Sequence, residues 1–348
     1  MELLEFFYDH GIPKNGFLPR KRAFEPAAKL CVTGPRYCGK RSFLQGKAIE
    51  YFDAKEVLFL DCGDLRCSPT AARHLQNFID EKGIRLLCIA DYEPAITLPR
   101  CDHIWLTRTT PMEGYKTIEL GNLDFEEFLA FEKRNDPKAA LNHFLRGGNF
   151  PEILQTPEAK KERRSQEILR LSFDQELPFF KEIAFFQGYA ASVHFIFTRI
   201  KERYKISKDR FYSLFERWQR ERYIHALPKW GAKRAAKKLF FYNFLVKPLL
   251  YTQREFPKIF ENMVFLELNE ECYYLEPLGF YLPRSKRAVV AIPFGNEVRI
   301  QNKIDQLLAK NRLELDRIEV VTVASSFRYE IGSVECEIAP FYEWALGE

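Results

Sequence analysis

The chain has 348 residues, a net charge of +5 and an apolar content of 46%, so it is long enough for two or three domains with buried cores. No run approaches the ~18 apolar residues of a membrane helix, and the acidic N-terminus lacks the basic start of a targeting leader. We therefore expect a cytoplasmic protein without a membrane partner. The eight cysteines include no CxxC pair, so we expect neither disulfides nor a zinc site.

Short apolar runs dominate residues 29–120. They read KLCVTG, EVLFLDCG, IRLLCIAD, HIWLTRT and KTIELGNL, with helix-like stretches such as SPTAARHLQNFIDEKG between them. Runs this apolar, bounded by Gly, Pro and Asp, are typical of strands in a parallel sheet covered by helices on both faces. The pattern predicts an α/β nucleotide-binding domain over residues 1–123.

The rest of the chain divides into three predicted segments. Residues 124–190 read as helices and form a predicted helical lid. In residues 191–250, two helices separated by YKIS precede two strands around a basic turn, and Ser207 is a plausible N-cap of the second helix. This layout predicts a winged-helix segment. Residues 251–348 combine a helix from Glu261 with short strand-like runs, which indicates a small α/β domain.

The stretch GPRYCGK follows the first predicted strand and precedes a predicted helix. A phosphate-binding loop requires this context, because successive backbone N–H groups wrap the phosphates at a helix N-terminus. Lys40 would direct its charge toward the β and γ phosphates. Position 41 normally carries the hydroxyl that binds Mg²⁺, whereas Arg41 offers only donors. The predicted nucleotide-binding residues are Gly34, Pro35, Arg36, Tyr37, Cys38, Gly39, Lys40, Arg41 and Ser42.

A second nucleotide element should be an apolar strand ending in two acidic residues, one for Mg²⁺ and one for the attacking water. In LLCIADYEP, Asp91 is the predicted metal ligand, but Tyr92 takes the second place and Glu93 comes one residue late. That shift turns a strand side chain to the opposite face. Thr107 or Thr109 is a candidate polar sensor. Phosphoryl transfer depends on the missing groups, so we predict ATP binding with weak or absent hydrolysis and leave the need for Mg²⁺ open.

These motifs resemble a family of prokaryotic AAA-type P-loop ATPases with a C-terminal domain of unknown function that has winged-helix and restriction-endonuclease-like parts. The similarity covers nearly the whole chain, in the order GPRYCGK, IADYE, MEGYKTIELGNLDFEEFLAF, RGGNFPEIL, KLFFYNFLVKPLL and FPKIFENMVFLEL. The resemblance implies ATP as the ligand and a nuclease-like α/β domain at the C-terminus. Tyr115 stands where the family has an arginine after Gly114, which implies the loss of a phosphate-sensing or finger group.

The nuclease positions of this family are also substituted. Glu261 aligns with the acid on the helix, whereas Gly279, Ile292 and Phe294 stand where the other three functional groups belong. Metal-dependent cleavage needs clustered charge. We therefore expect nuclease activity to be absent and Glu261 to be a capping or surface residue.

Basic residues concentrate in the middle of the chain. Between Arg199 and Lys238 there are 14 Lys or Arg and 4 Asp or Glu, a local charge of +10 that leaves −5 elsewhere. Cations on a helix and hairpin can bind successive phosphates, and an exposed Trp can pack on a sugar or base. A solvated helix face and a protein-binding surface are the alternatives. The candidate nucleic-acid contacts are Arg210, Arg217, Lys229, Trp230, Lys233, Arg234, Lys237 and Lys238.

Three functional hypotheses follow. The leading one is an AAA-type nucleotide-binding protein with weak or no hydrolysis, acting as a nucleotide-controlled regulator or a DNA-associated protein. The alternative is a nucleic-acid-binding or protein-scaffold pseudo-ATPase whose pocket is vestigial. The third is an active ATPase in which Ser42 or Glu93 takes over a missing role.

Overall fold

The computed structural model describes residues 2–13, 17, 20–67, 71–132, 136–332 and 334–347. The chain forms two compact units, Met1–Asn122 and Leu123–Glu348. Both units combine helices and strands, in agreement with the predicted α/β class. Within the ranges given above, no helix has both the length and the apolar character that a membrane span requires.

A five-stranded parallel sheet forms the centre of the first unit. Its strands are β1 (Lys29–Thr33), β2 (Val57–Asp61), β3 (Leu86–Ala90), β4 (His103–Arg108) and β5 (Lys116–Glu119). The five apolar runs predicted as strands in residues 29–120 form these strands. The order across the sheet is β2-β3-β4-β1-β5. Strands β2 and β3 are buried along their whole length because helices cover both faces.

The helices of the first unit lie on opposite faces of this sheet. They are α1 (Glu2–His10), α2 (Lys40–Tyr51) and α3 (Leu75–Lys82). On one face α2 packs against the sheet through Phe43 and Leu44, whereas α1 and α3 pack on the other through Phe7 and Phe78. The chain therefore leaves β1 toward one face and β2 toward the other. In open α/β sheets, ligands bind at the carboxyl ends of the strands.

The second unit begins with helices. They are α4 (Phe125–Phe131), α5 (Pro137–Gly147), α6 (Glu158–Phe173), α7 (Leu177–Ala184), α8 (Val193–Lys201), α9 (Lys208–Arg220), α10 (Val246–Leu250) and α11 (Phe256–Glu267). A capping box of Asp124 and Glu127 starts α4. The predicted N-cap of α9 is confirmed, because Ser207 Oγ accepts a hydrogen bond of 3.2 Å from the Arg210 amide. Helix α11 starts before Glu261, since Pro257 suits a first helical turn.

A small antiparallel sheet accompanies α8 and α9. Its strands are β6 (Ala190–Ala191), β7 (Ile224–Leu227) and β8 (Lys237–Phe241), in the order β6-β8-β7. The two strands predicted around the basic turn are thus present as the β7–β8 hairpin, with Ile224 opposite Phe241. Helix α9 buries its apolar face, so its polar face is turned outward.

A six-stranded mixed sheet completes the second unit. Its strands are β9 (Tyr273–Tyr274), β10 (Phe280–Leu282), β11 (Arg287–Ala291), β12 (Arg317–Thr322), β13 (Phe327–Ile331) and β14 (Val334–Pro340), ordered β13-β14-β12-β11-β10-β9. Helix α12 (Glu297–Lys310) covers one face. Helices α11 and α13 (Phe341–Trp344) cover the other, where the fully buried Phe341 ring packs on Phe125 and Phe260. Strand β13 was not predicted.

Candidate nucleotide-binding site

The loop between β1 and α2 has the backbone of a tight, glycine-dependent turn. Positive φ angles occur at Gly34 (153°), Tyr37 (63°) and Gly39 (92°). Gly39 is the N-cap of α2 and provides no side-chain cap, and the first turn of α2 contains no acidic residue. The first amides of a helix lack acceptors within the helix, so an uncapped start without a carboxylate favours an anion.

Close contacts with the segment after β5 fix the shape of this loop. A Cβ atom on Gly34 would lie 1.9 Å from the backbone oxygen of Leu120, so only glycine fits there. The Cys38 thiol donates to the same oxygen at 3.2 Å. The Arg20 guanidinium donates to the carbonyls of Cys38 and Gly121, each at 2.9 Å. The loop therefore has defined support, and the Cys38 side chain is used for packing.

Lys40 points into the loop. Its side chain is buried at 5% exposure, and its Nζ donates to the carbonyls of Gly34 at 3.0 Å and Pro35 at 2.6 Å. A lysine ammonium has three N–H donors, so one remains for a ligand. Among the other predicted loop residues, Arg36 is exposed and Ser42 lies half-buried in the first turn of α2.

Arg41 is directed to the end of β2. Its guanidinium forms an ion pair with Asp61, whose side chain is only 11% exposed. The backbone amide of Gly63 donates to Asp61 Oδ1 at 3.0 Å. A Cβ atom on Gly63 would lie 3.2 Å from Asp61 Oδ1 and 3.8 Å from Asp91 Oδ2. The carboxylates of Asp61 and Asp91 therefore converge on the same turn, beside the first turn of α2.

Sequence reasoning missed Asp61. The signal was present, because Asp61 ends the apolar run EVLFLD as Asp91 ends the run LLCIAD. These two strands are neighbours in the sheet, with Asp61 in register with Ala90. Parallel neighbours end at the same edge, so the strand order of the fold brings both terminal carboxylates to one edge of the sheet.

Asp91 occupies a left-handed backbone conformation, with φ of 48°. Its amide donates to Thr107 Oγ1 at 2.8 Å, and the Tyr92 amide donates to the Thr107 carbonyl at 3.0 Å. The candidate sensor Thr107 is thus buried and supports the backbone of Asp91. The Tyr92 side chain is buried, with its hydroxyl on the Ile96 carbonyl at 3.0 Å. Burial raises the pKa of this phenol, so Tyr92 offers no base for water activation.

The carboxylates at this edge do not make a complete metal cage. In the part of the chain that the structure describes, no three His, Cys, Asp or Glu side chains are grouped so as to hold a metal. Asp91 is exposed, while Asp61 is engaged by Arg41. A metal ion at this edge could bind the Asp91 carboxylate, but position 41 offers no hydroxyl as a second ligand.

Tyr115 lies far from the loop along the strands. It precedes Lys116, which is in register with Leu30 at the amino end of β1, whereas the loop follows Thr33 at the carboxyl end. Its ring accepts the Lys29 ammonium at 5.9 Å. The Tyr115 side chain therefore starts at the sheet edge opposite the loop, and the loss of a phosphate-sensing or finger arginine at this position stays a prediction.

The candidate nucleic-acid contacts separate into free and engaged cations. Arg217 forms ion pairs with Glu176 and Glu221, Lys229 pairs with Glu276 at 2.6 Å, and Lys238 is buried against Glu261. The prediction that Lys238 contacts nucleic acid is therefore wrong, since its charge is used inside the protein. Four predicted cations are exposed and form no ion pair with any described residue. They are Arg210, Lys233, Arg234 and Lys237.

Trp230 is half-buried and is not the free ring that the sequence suggested. It packs edge-to-face on Tyr273 at 5.2 Å and on Tyr281 at 4.5 Å, and its amide donates to the Tyr274 carbonyl at 3.1 Å. The start of the hairpin turn is thus attached to the six-stranded sheet. Stacking on a base would require Trp230 to give up these contacts.

The aligned nuclease positions hold no catalytic cluster. Glu261 is 6% exposed and bound to Lys238, with Lys258 Nζ at 3.7 Å, so the expectation of a capping or surface residue is wrong. Burial lowers the pKa of Lys258. Gly279, at the second aligned position, has a backbone φ of 97° and no side chain that could bind a metal. Ile292 is fully buried, and the 60% exposed Phe294 stacks on Phe256.

A surface depression of about 760 Å³ lies at the amino ends of β3 and β4. Its charged lining is mixed, since Arg85 pairs with Glu56 at 3.0 Å and approaches Asp102 at 3.8 Å. This depression is at the opposite edge of the sheet from the loop. The carboxyl edge is the better candidate because ligands of open α/β sheets bind at the carboxyl ends of the strands.

No protein-family model matches the chain, and no curated protein matches it.

Proposed function

We propose that the chain is a cytoplasmic AAA-type nucleotide-binding protein that binds ATP at residues 34–42 and hydrolyses it weakly or not at all. The observation that carries this proposal is Lys40, held inward by the Gly34 and Pro35 carbonyls at the uncapped start of α2. A lysine ammonium and free helix amides in one loop suit a polyphosphate. The sequence motifs quoted above add the resemblance to AAA-type ATPases.

The same geometry supports weak turnover. The position next to Asp91 holds the buried phenol of Tyr92 where a carboxylate would orient water. Position 41 carries a guanidinium bound to Asp61 where a hydroxyl would bind Mg²⁺. Phosphoryl transfer without these groups loses most of its charge stabilisation. ATP then acts as a ligand that stabilises one conformation of the loop.

Thermal unfolding with ATP and with a slowly hydrolysed analogue tests this function. Ligand at 100 times Kd should stabilise the native protein by about 2.7 kcal/mol, and Lys40→Ala should abolish the shift. Lys47→Ala is the matched control, because Lys47 lies in the same helix, where it pairs with Glu50 at 2.7 Å and lies over the Phe24 ring at 5.6 Å. An unshifted wild type, or a shift that Lys40→Ala leaves intact, would refute ATP binding at this loop.

Phosphate release tests the second half of the proposal. Wild-type protein should release phosphate from ATP no faster than Lys40→Ala. Steady release that disappears in both Lys40→Ala and Asp91→Asn would show an active ATPase instead, since both residues would then serve the reacting phosphates.

The second candidate function is binding of nucleic acid through the β7–β8 hairpin. It is supported by Lys233, Arg234 and Lys237, which are exposed and have no ion-pair partner among the described residues. Free cations in a hairpin turn release counterions when they meet phosphates. For duplex DNA, changing all three to alanine should reduce the slope of log K against log salt by about 3.

A charge-matched control distinguishes this interface from a general effect of net charge. Exposed lysines outside the basic segment should leave the slope nearly unchanged when replaced together. They are Lys55, Lys160 and Lys310. Equal effects of both triple variants would reject the hairpin as a DNA contact, and a wild-type slope near zero would point to a protein partner for this surface.

A further inference from the structure

We propose that this site binds its nucleotide without a magnesium ion, because the guanidinium of Arg41 occupies the place and part of the role of the metal. This inference rests on the proposed function and specifies the form of the ligand, an uncomplexed nucleoside di- or triphosphate. It follows from the ion pair of Arg41 with Asp61 at the carboxyl edge of the sheet.

Two carboxylates lie beside the first turn of α2. Asp61 and Asp91 converge beside the turn at Gly63, and two carboxylates near a polyphosphate oppose its binding unless a cation lies between them. Magnesium ordinarily supplies that cation and is held by one or two carboxylates together with phosphate oxygens. Here Arg41 already neutralises Asp61 from within the chain.

Arg41 has N–H donors that its ion pair with Asp61 does not use. An Arg side chain has five N–H donors, and one nitrogen of Arg41 is engaged with Asp61. The Arg41 side chain is 53% exposed, so its other donors are accessible from solvent. Arg41 follows Lys40 directly in the first turn of α2. A guanidinium can thus hold the carboxylate on one side and a phosphate oxygen on the other.

The side chains at this edge of the sheet suit a magnesium ion poorly. A magnesium ion that took Asp61 as a ligand would have to displace a permanently charged guanidinium. The hydroxyl ligand is absent at position 41, and Asp91 alone would remain. The site is therefore arranged against the metal complex and in favour of the free nucleotide, with Arg41 as the residue that determines this specificity.

Isothermal titration of the full chain with ATP tests the inference, once with excess Mg²⁺ and once with EDTA. Wild-type ATP affinity should be at least about tenfold weaker in excess Mg²⁺, where nearly all of the ATP is complexed, than in EDTA. In Arg41→Thr, which restores a hydroxyl and frees Asp61, affinity in EDTA should fall by about tenfold or more, and Mg²⁺ should recover part of the loss. Arg41→Lys should keep binding in EDTA, since it keeps the charge.

A second variant separates charge from structural support. Asp61→Asn removes the acid and should bind ATP in EDTA at least as well as wild type, because Arg41 keeps its charge and is released from its ion pair. ATP binding by the wild type that EDTA abolishes would overturn the metal-free inference and leave the proposed function standing. Equal ATP affinity of Arg41→Thr in both buffers would also overturn the metal-free inference and leave the proposed function standing. Absence of ATP binding in either buffer would overturn both.

Discussion

Replacing Glu261 with alanine should lower the free energy of unfolding of the second unit by about 3–5 kcal/mol. Glu261 and Lys238 are each only 6% exposed, and they form an ion pair in the interior. Removal of the carboxylate would leave the Lys238 ammonium buried without its counterion, beside a second cation, Lys258. Urea denaturation of the full chain measures the change as a lower midpoint of the corresponding transition.

Two controls make this result specific. Glu276→Ala also removes a carboxylate from a lysine, Lys229 at 2.6 Å, but that carboxylate is 55% exposed, so the expected cost is below about 1 kcal/mol. The double variant Lys238→Met with Glu261→Leu removes both charges and should recover most of the lost stability. If Glu261→Ala costs no more than Glu276→Ala, the ion pair does not contribute as a buried pair.

The ion pair with Lys238 gives Glu261 a structural role at one of the four positions where the family that the sequence resembles carries nuclease groups. A buried Lys–Glu pair constrains both partners, because loss of either leaves an unpaired charge. The other three positions hold Gly279, Ile292 and Phe294, and none provides a metal ligand. Glu261 therefore requires no catalytic explanation.

The strands of the first sheet were predictable because burial on both faces gives each a nearly continuous apolar run. Runs such as KLCVTG and IRLLCIAD predict buried strands in a chain where they alternate with helix-like stretches. Strand β13 was not predicted because it is only partly buried. It is an edge strand whose residues Phe327–Ile331 alternate between half-buried and exposed, so its sequence resembles that of a polar loop.

The engagement of charged side chains was not predictable from composition. Lys237 and Lys238 are adjacent in the sequence and equally basic, yet the first is exposed and the second lies inside the protein. Strand alternation turns neighbours to opposite faces, and only the packing of α11 decides which face is closed. Counting charges identified the basic segment but could not identify its free cations.

The partner of Arg41 was unpredictable for a similar reason. The sequence showed that a guanidinium replaces a hydroxyl, but the acid it meets comes from β2, 20 residues further along the chain. The strand order sets that meeting, and strand order is a property of the folded sheet. The turn at residues 34–40, by contrast, could be predicted because its glycines and its place between a strand and a helix are local in sequence.

The close approach of Leu120 makes Gly34 the most constrained position of that loop. In Gly34→Ala, a new Cβ would lie 1.9 Å from a backbone oxygen of Leu120. Neither that carbonyl nor Gly34, with φ of 153°, can relax by a side-chain rotation. The backbone strain alone should cost about 1–3 kcal/mol, and the end of β1 must separate from the segment after β5. Affinity for ATP should fall by at least about tenfold.

Gly121→Ala is the matched control, because it adds the same methyl group one residue after Leu120, where a Cβ meets no atom within 4 Å. It should change neither the thermal midpoint nor ATP binding measurably. If Gly34→Ala keeps both stability and affinity, the loop can shift without consequence and its close packing does not shape the site. If only affinity falls, the strain is absorbed locally, and the geometry of the loop, rather than the stability of the sheet, is what the ligand requires.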